Sequence, residues 1–202
     1  IAAGLADGER EHGVTSGLIA AFLRDRPAEE ADAVLTELLA LDAPIIGIGL
    51  DSAEVGFPPS LFRDVFDRAR ALGLHRVAHA GEECPPEYIT GALDLLGAER
   101  IDHGIRCVED ARLVARLVEE QVPLTVCPLS NVRLRAVDSL AAHPIQEMMR
   151  RGLLVTVNSD DPAYFGGYVD ENYAALASQF ALGRGDLATL ALNSVEASFV
   201  PV

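Results

Sequence analysis

Short apolar runs alternate with longer amphipathic stretches along the whole chain. Runs at residues 17–23, 45–50, 76–79, 100–103, 124–127 and 154–158 are almost wholly apolar or β-branched and read as buried strands. Between them the period lengthens. Residues 27–41 carry Val34, Leu35, Leu38, Leu39 and Leu41 on one stripe with Glu29, Glu30, Asp32 and Glu37 opposite, and residues 59–72 repeat the design with Leu61, Phe62, Val65, Phe66 and Ala69. Both begin at a proline, which suits a first helical turn, and the second stops near Gly73. The same reasoning predicts helices over 86–96, 108–121, 144–151, 169–181 and 186–197. No linker, low-complexity stretch or internal repeat interrupts the series, so residues 1–202 read as a single domain.

Buried strands alternating with helices imply a parallel sheet covered by helices. The sheet is either open and doubly wound or closed as an eightfold barrel. Polar clusters follow the ends of several strands here, as at a barrel mouth, and no G-x-G-x-x-G follows any strand. A (β/α)8 TIM-type barrel is therefore expected. It reads as incomplete: six βα units are legible, and 202 residues fall short of the roughly 250 typical of the whole fold.

Composition narrows the partners. Half of the residues are hydrophobic, enough for a substantial core. A formal charge of −15 argues against nucleic acid and against an anionic membrane surface, since both would be repelled. Small neutral or cationic ligands remain. Cys84, Cys107 and Cys127 form neither pairs nor a C-x-x-C spacing, which fits a reducing cytoplasm. No apolar run has the length of a membrane span, and the first residues show no signal-peptide pattern.

The chemistry sits in three clusters that each follow an apolar run: His79-Ala80-Gly81-Glu82, Asp102-His103-Gly104 and Ser159-Asp160-Asp161-Pro162. A histidine and a carboxylate able to reach one divalent ion, with a second carboxyl and a second histidine to move protons, are what water needs to become a nucleophile near neutral pH. His79 ends a strand, and Gly81 lets the chain turn so that Glu82 faces the same mouth. His103 is placed to stabilise a hydroxide by hydrogen bonding. Residues leaving a strand alternate in direction, so Asp160 and Asp161 can divide labour between ion and substrate, although either aspartate also suits a cap before Pro162. His12, His75 and His143 read as structural or solvated.

The ordered motifs Gly47-Ile48-Gly49-Leu50-Asp51-Ser52-Ala53-Glu54, His79-Ala80-Gly81-Glu82, Arg100-Ile101-Asp102-His103-Gly104, Cys127-Pro128-Leu129-Ser130-Asn131 and Ser159-Asp160-Asp161-Pro162-Ala163-Tyr164-Phe165-Gly166 resemble those of the adenosine/adenine deaminase family of metal-dependent hydrolases. The resemblance implies one Zn2+ per subunit held by His79 and Asp160, Glu82 as the proton shuttle to the purine ring nitrogen, and His103 as the residue that orients or activates the attacking water. It makes Asp161 the partner of the purine N7. The implied reaction is hydrolytic deamination of a 6-aminopurine. The run from Ser159 to Tyr168 resembles the adenine-specific branch, and Ser52 stands where nucleoside enzymes of the family carry glycine near the purine, so adenine is the expected substrate. Adenosine or aminodeoxyfutalosine is the alternative, and a catalytically inactive purine-binding regulator is a second one. Barrel hydrolases that use a carboxylated lysine are excluded because the chain contains no Lys. Family members carry a His-x-His in their first strand that supplies two further zinc ligands, and none occurs here. The expectation is a piece comprising about the C-terminal three-fifths of the barrel, lacking two strands and the last helix, which alone binds zinc weakly and turns over little.

Overall fold

The computed structural model describes residues 1–199, so the last three positions of the expected domain, 200–202, lie outside the described residues. Six strands are present: β1 Leu18–Leu23, β2 Ile45–Asp51, β3 His75–Ala80, β4 Arg100–His103, β5 Leu124–Val126 and β6 Val155–Val157. All adjacent pairs are parallel and the spatial order is the sequence order. That order decides the architecture. A doubly wound sheet reverses direction at a switch point, whereas a barrel adds each strand beside the last.

Helices α1 Ala2–His12, α2 Ala28–Ala40, α3 Arg63–Ala71, α4 Pro86–Gly91, α5 Ala111–Glu119, α6 Pro128–Arg133, α7 Ile145–Arg150, α8 Pro162–Phe165, α9 Val169–Phe180 and α10 Arg184–Glu196 fill the intervals. Leu35, Phe66, Ile89, Leu96, Leu117 and Leu190 from the helical layer meet Ile48, Leu50, Ile101, Leu124 and Val155 from the sheet in one continuous core. The apolar stripes are narrower than their sequence suggests: Val34, Leu39, Leu41 and Leu61 are exposed. The expected helix over 86–96 is α-helical only to Gly91 and then opens into a π turn over Ala92–Leu96. The one over 108–121 starts later because Asp110 caps it, its carboxylate accepting from the amides of Arg112 at 2.8 Å and Leu113 at 3.3 Å. The short helices α6 and α8 were not expected, since four to six residues are too few to show a period.

Register places the polar side chains. Cα pairing sets His79 beside Asp102, Asp102 beside Thr125, and Thr125 beside Thr156. Because side chains alternate along a strand, laterally paired residues face the same way. Four polar groups therefore form one row inside the carboxyl end of the sheet.

Candidate active site

The row opens into a cleft of about 480 Å3 lined by His79, Asp102, His103, Cys127, Asn158 and Asp160, among others. A larger recess of about 580 Å3 lies between α7 and α10 near Met149, Phe180 and Leu190, but it contains no histidine or cysteine. The four groups expected to converge do so. The His79 and His103 rings meet edge to face with centroids 4.7 Å apart. His103 Nδ1 lies 3.4 Å from Glu82 Oε1, and its Nε2 lies 3.9 Å from Asp160 Oδ2. Both His103, at the end of β4, and Asp160, three residues past β6, take left-handed backbone, with φ of 64° and 58°. Such backbone costs a non-glycine residue about 1–2 kcal/mol, and it is found where function fixes a side chain's direction.

The loop after β3 is held from several sides. Gly81 has φ of 73°, and a Cβ there would lie 2.5 Å from Ile89 Cδ1, so only glycine fits. Buried Glu54 accepts three backbone amides: Gly81 at 3.1 Å, Glu82 at 2.9 Å and Cys84 at 3.0 Å. Glu83 returns the bond by accepting from the Glu54 amide at 3.0 Å. Arg24, fully buried at the end of β1, donates to the carbonyls of His79 at 2.7 Å and Phe57 at 2.9 Å. Glu82 thus stands on a backbone tied to two neighbouring strands. Its side chain takes a hydrogen bond of 2.6 Å from Asn131 Nδ2.

The electrostatics suit proton transfer and a cation. Burial pushes the Glu82 carboxyl up, against the opposing Asn131 bond and nearby His79, to about 7, so it exchanges a proton near neutrality. Burial lowers His103 to about 3 and His143 to about 4, leaving both rings neutral. For His79 burial opposes the charge, but Asp102, Asp51 and Glu82 outweigh it and raise the ring to about 9. Asp102 is held below the usual carboxylate range: burial acts the other way and is overcome by His79, Thr125 and Arg100. Its Oδ1 accepts from Thr125 Oγ1 at 2.6 Å.

Which residues can hold a metal follows from donor chemistry. His79 Nδ1 is buried without a well-formed hydrogen bond, 3.4 Å from Asp102 Oδ2, which turns Nε2 the other way as a ligand atom. Asp160 keeps a carboxylate in the cleft, its Oδ2 accepting from Ser130 Oγ at 2.6 Å. An excess of carboxylates around these two donors suits a divalent cation. Donor atoms of His103, Cys127 and Asp160 also lie within 4.8 Å of one another. Burial beside Asp160, Asp102 and Glu82 lifts the Cys127 thiol well above its ordinary range. The other expected residues sit at the rim. Asp161 is exposed and caps α8, accepting from the Ala163 amide at 3.2 Å, the helix-start role that an aspartate before proline also suits. Ser52 is exposed with φ of 72°, backbone that favours glycine. Sequence reasoning gave no role to Glu54, Asp102 or Asn131, although each lies inside a quoted motif, and it took His143 as structural or solvated.

Neutral burial of His143 has a measurable consequence. Below pH 6.5 the unfolded chain takes a proton on this ring and the folded chain does not, so its contribution is intact above pH 6.5 and declines as pH falls toward 4. Wild type should lose about 3 kcal/mol more than His143→Gln between pH 7 and pH 4, at 1.36 kcal/mol per pK unit. Urea unfolding of both proteins across that range measures the difference. Parallel curves would show that His143 takes up its proton as readily in the folded state as in the unfolded chain.

An adenosine deaminase family model matches residues 1–202. An adenine deaminase of Ectopseudomonas mendocina is 55% identical over 193 residues, covering 96% of this chain and 61% of that protein. One of Streptomyces coelicolor is 57% identical over 196 residues, covering 97% and 58%. The crystal structure of adenine deaminase from Arthrobacter aurescens superposes with a TM-score of 0.97 at 62% identity, over 99% of this chain and 61% of that one. An amidohydrolase from Burkhoderia ambifaria, solved with bound Zn, gives 0.92 at 33% identity over 99% and 56%. The chain thus spans about 60% of the length of these relatives, and its six parallel strands correspond to part of their barrel. Among the described residues no helix is long and apolar enough to cross a membrane. With the family model running its full length and identities above one half to adenine deaminases, the chain belongs to the adenosine deaminase family.

Proposed function

We propose that the protein is a zinc-dependent hydrolase that converts adenine and water to hypoxanthine and ammonia, with residues 1–202 forming part of a single barrel domain. The observation that carries this reading is Glu82, a carboxyl that burial lifts to about 7, set 3.4 Å from His103, whose ring in turn meets His79 and approaches Asp160 in the cleft. His79 and Asp160 would hold the metal. A zinc ion held there would lower the pKa of a bound water enough to supply hydroxide near pH 7. Glu82 gives a proton to the ring nitrogen next to C6, so that ring charge does not build up as hydroxide adds, and the resulting carboxylate then takes the hydroxyl proton of the adduct and passes it to the amino group, which departs as ammonia as the C6 carbonyl forms. Asp161 faces the purine N7 and Ser52 the ring edge. The net charge of −15 favours a small neutral purine over nucleic acid, and three free buried cysteines fit the cytoplasm.

The protein at its native length, loaded with zinc, is expected to release ammonia from adenine faster than from adenosine or aminodeoxyfutalosine. Loss of the adenine absorbance band and an ammonia assay measure this. Faster turnover of a nucleoside would reassign the substrate, and turnover of none would overturn the reading. Asp102→Asn should weaken zinc binding by about 10–100-fold, because the carboxylate that orients His79 loses its charge. Competition against a chromophoric chelator reads that loss without any substrate, and unchanged affinity would remove Asp102 from this role.

A further inference from the structure

A buried chain of hydrogen bonds runs from the start of α7 to the centre of the cleft. The Ile145 amide donates to His143 Nδ1 at 3.1 Å, His143 Nε2 lies 3.1 Å from Asn131 Oδ1, and Asn131 Nδ2 lies 2.6 Å from Glu82 Oε1 and 3.2 Å from His103 Nδ1. Asn131, His143 and His103 are at most 3% exposed, so water does not substitute for any of these partners.

A backbone N–H can only donate, and that fixes every later member. His143 Nδ1 must be an acceptor, so the proton of the neutral ring sits on Nε2 and is donated to Asn131 Oδ1. The Asn131 amide then cannot be flipped, and its NH2 faces both Glu82 and His103. An NH2 group has no lone pair to offer, so His103 Nδ1 must accept as well. The 3.4 Å approach of His103 Nδ1 to Glu82 would allow the opposite tautomer only if an N–H faced the Asn131 NH2 at 3.2 Å. Reversing Asn131 to relieve this would set its oxygen against Glu82 and force His143 to present an N–H to the Ile145 amide.

We infer that Asn131 and His143 are positioning residues that lock His103 as the neutral Nε2–H tautomer, so that it presents a hydrogen-bond donor, not a base, to the reacting oxygen. This rests on the proposed placement of His103 at the reaction centre. Two consequences follow. His103 orients and stabilises the nucleophile but takes no proton from it, which leaves proton transfer to Glu82. His103 Nε2, being protonated, also has no lone pair for a metal, so the proximity of His103, Cys127 and Asp160 does not make them a ligand set.

The test is long-range 1H–15N correlation of imidazole nitrogens in the zinc-loaded protein at native length and pH 7, labelled at histidine, where tautomers give distinct patterns. His103 and His143 should both appear as Nε2–H. Either ring as Nδ1–H, or His103 as imidazolium, overturns the inference. Asn131→Asp, nearly isosteric, replaces the donor facing His103 with an acceptor. It should switch His103 to Nδ1–H and lower kcat for adenine by about 100-fold with KM and zinc content within twofold of wild type. A variant that keeps the Nε2–H pattern contradicts the relay, and if the variant does not fold, the wild-type spectrum alone decides. Adenine turnover by wild type is scored separately. Turnover with His103 as Nδ1–H sinks the relay and spares the proposed function, whereas Nε2–H without turnover does the reverse.

Discussion

Glu82→Gln is expected to lower kcat on adenine by about 1000-fold, within the range that a lost general acid–base group costs. The substitution keeps the shape of the side chain. Glutamine still offers an oxygen to Asn131 Nδ2, and the amides of Gly81, Glu82 and Cys84 remain bound to Glu54, so the loop should hold. What disappears is a carboxyl that burial has lifted to about 7, a group able to give and regain a proton near neutrality. Binding of the ground-state purine does not need that proton, so KM should change little and the loss should fall on kcat. Zinc content and unfolding midpoint, measured on the same preparation, separate a chemical defect from a folding one. Retained turnover would take Glu82 out of proton transfer.

Glu54→Gln should destabilise the fold by about 3–5 kcal/mol, as expected when one partner is removed from a buried charged network. The carboxylate divides its oxygens, Oε1 serving Glu82 and Oε2 serving Gly81 and Cys84. In a carboxamide one of those positions becomes NH2. Whichever way it turns, a buried N–H then faces another donor, at a cost of about 1–3 kcal/mol for each amide left unpaired. Arg24 loses in addition the anion that offsets its own burial, since burial lowers its pKa and Glu54 is the first of the groups that restore it. Glu83→Gln is the comparison. Its side chain is exposed and accepts a single amide, so the change should cost under about 1 kcal/mol. Urea midpoints of the two variants measure the contrast, and equal small losses would show that Glu54 is not a structural anion.

Much of the site is readable along the chain because barrel geometry converts strand ends into a single mouth. His79, Glu82, His103 and Asp160 each stand at or just after the end of an apolar run, and that placement alone marks them. Asn131, His143 and Glu54 escaped for a different reason. Each of their roles needs a bond to a partner 12 to 49 positions away. No local pattern shows a bond of that kind. Asn131 rides on α6, six residues with no visible period, and His143 looks like any histidine before proline until Ile145 and Asn131 close around it. Asp161 shows the converse. Both of its readings, cap and substrate partner, were legible, and the cap is the one the folded chain displays. The helix stripes were overread because Val34, Leu39 and Leu61 share a period with buried neighbours while facing solvent.

Everything chemical depends on where the metal sits. Crystals of the zinc-loaded protein at native length, measured on both sides of the zinc absorption edge, locate it directly. The anomalous peak should lie about 2.0–2.2 Å from His79 Nε2 and from an Asp160 carboxylate oxygen, with His103 Nε2 outside bonding distance. A peak bonded to His103 Nε2 and Cys127 Sγ, with His79 unligated, would contradict the assignment.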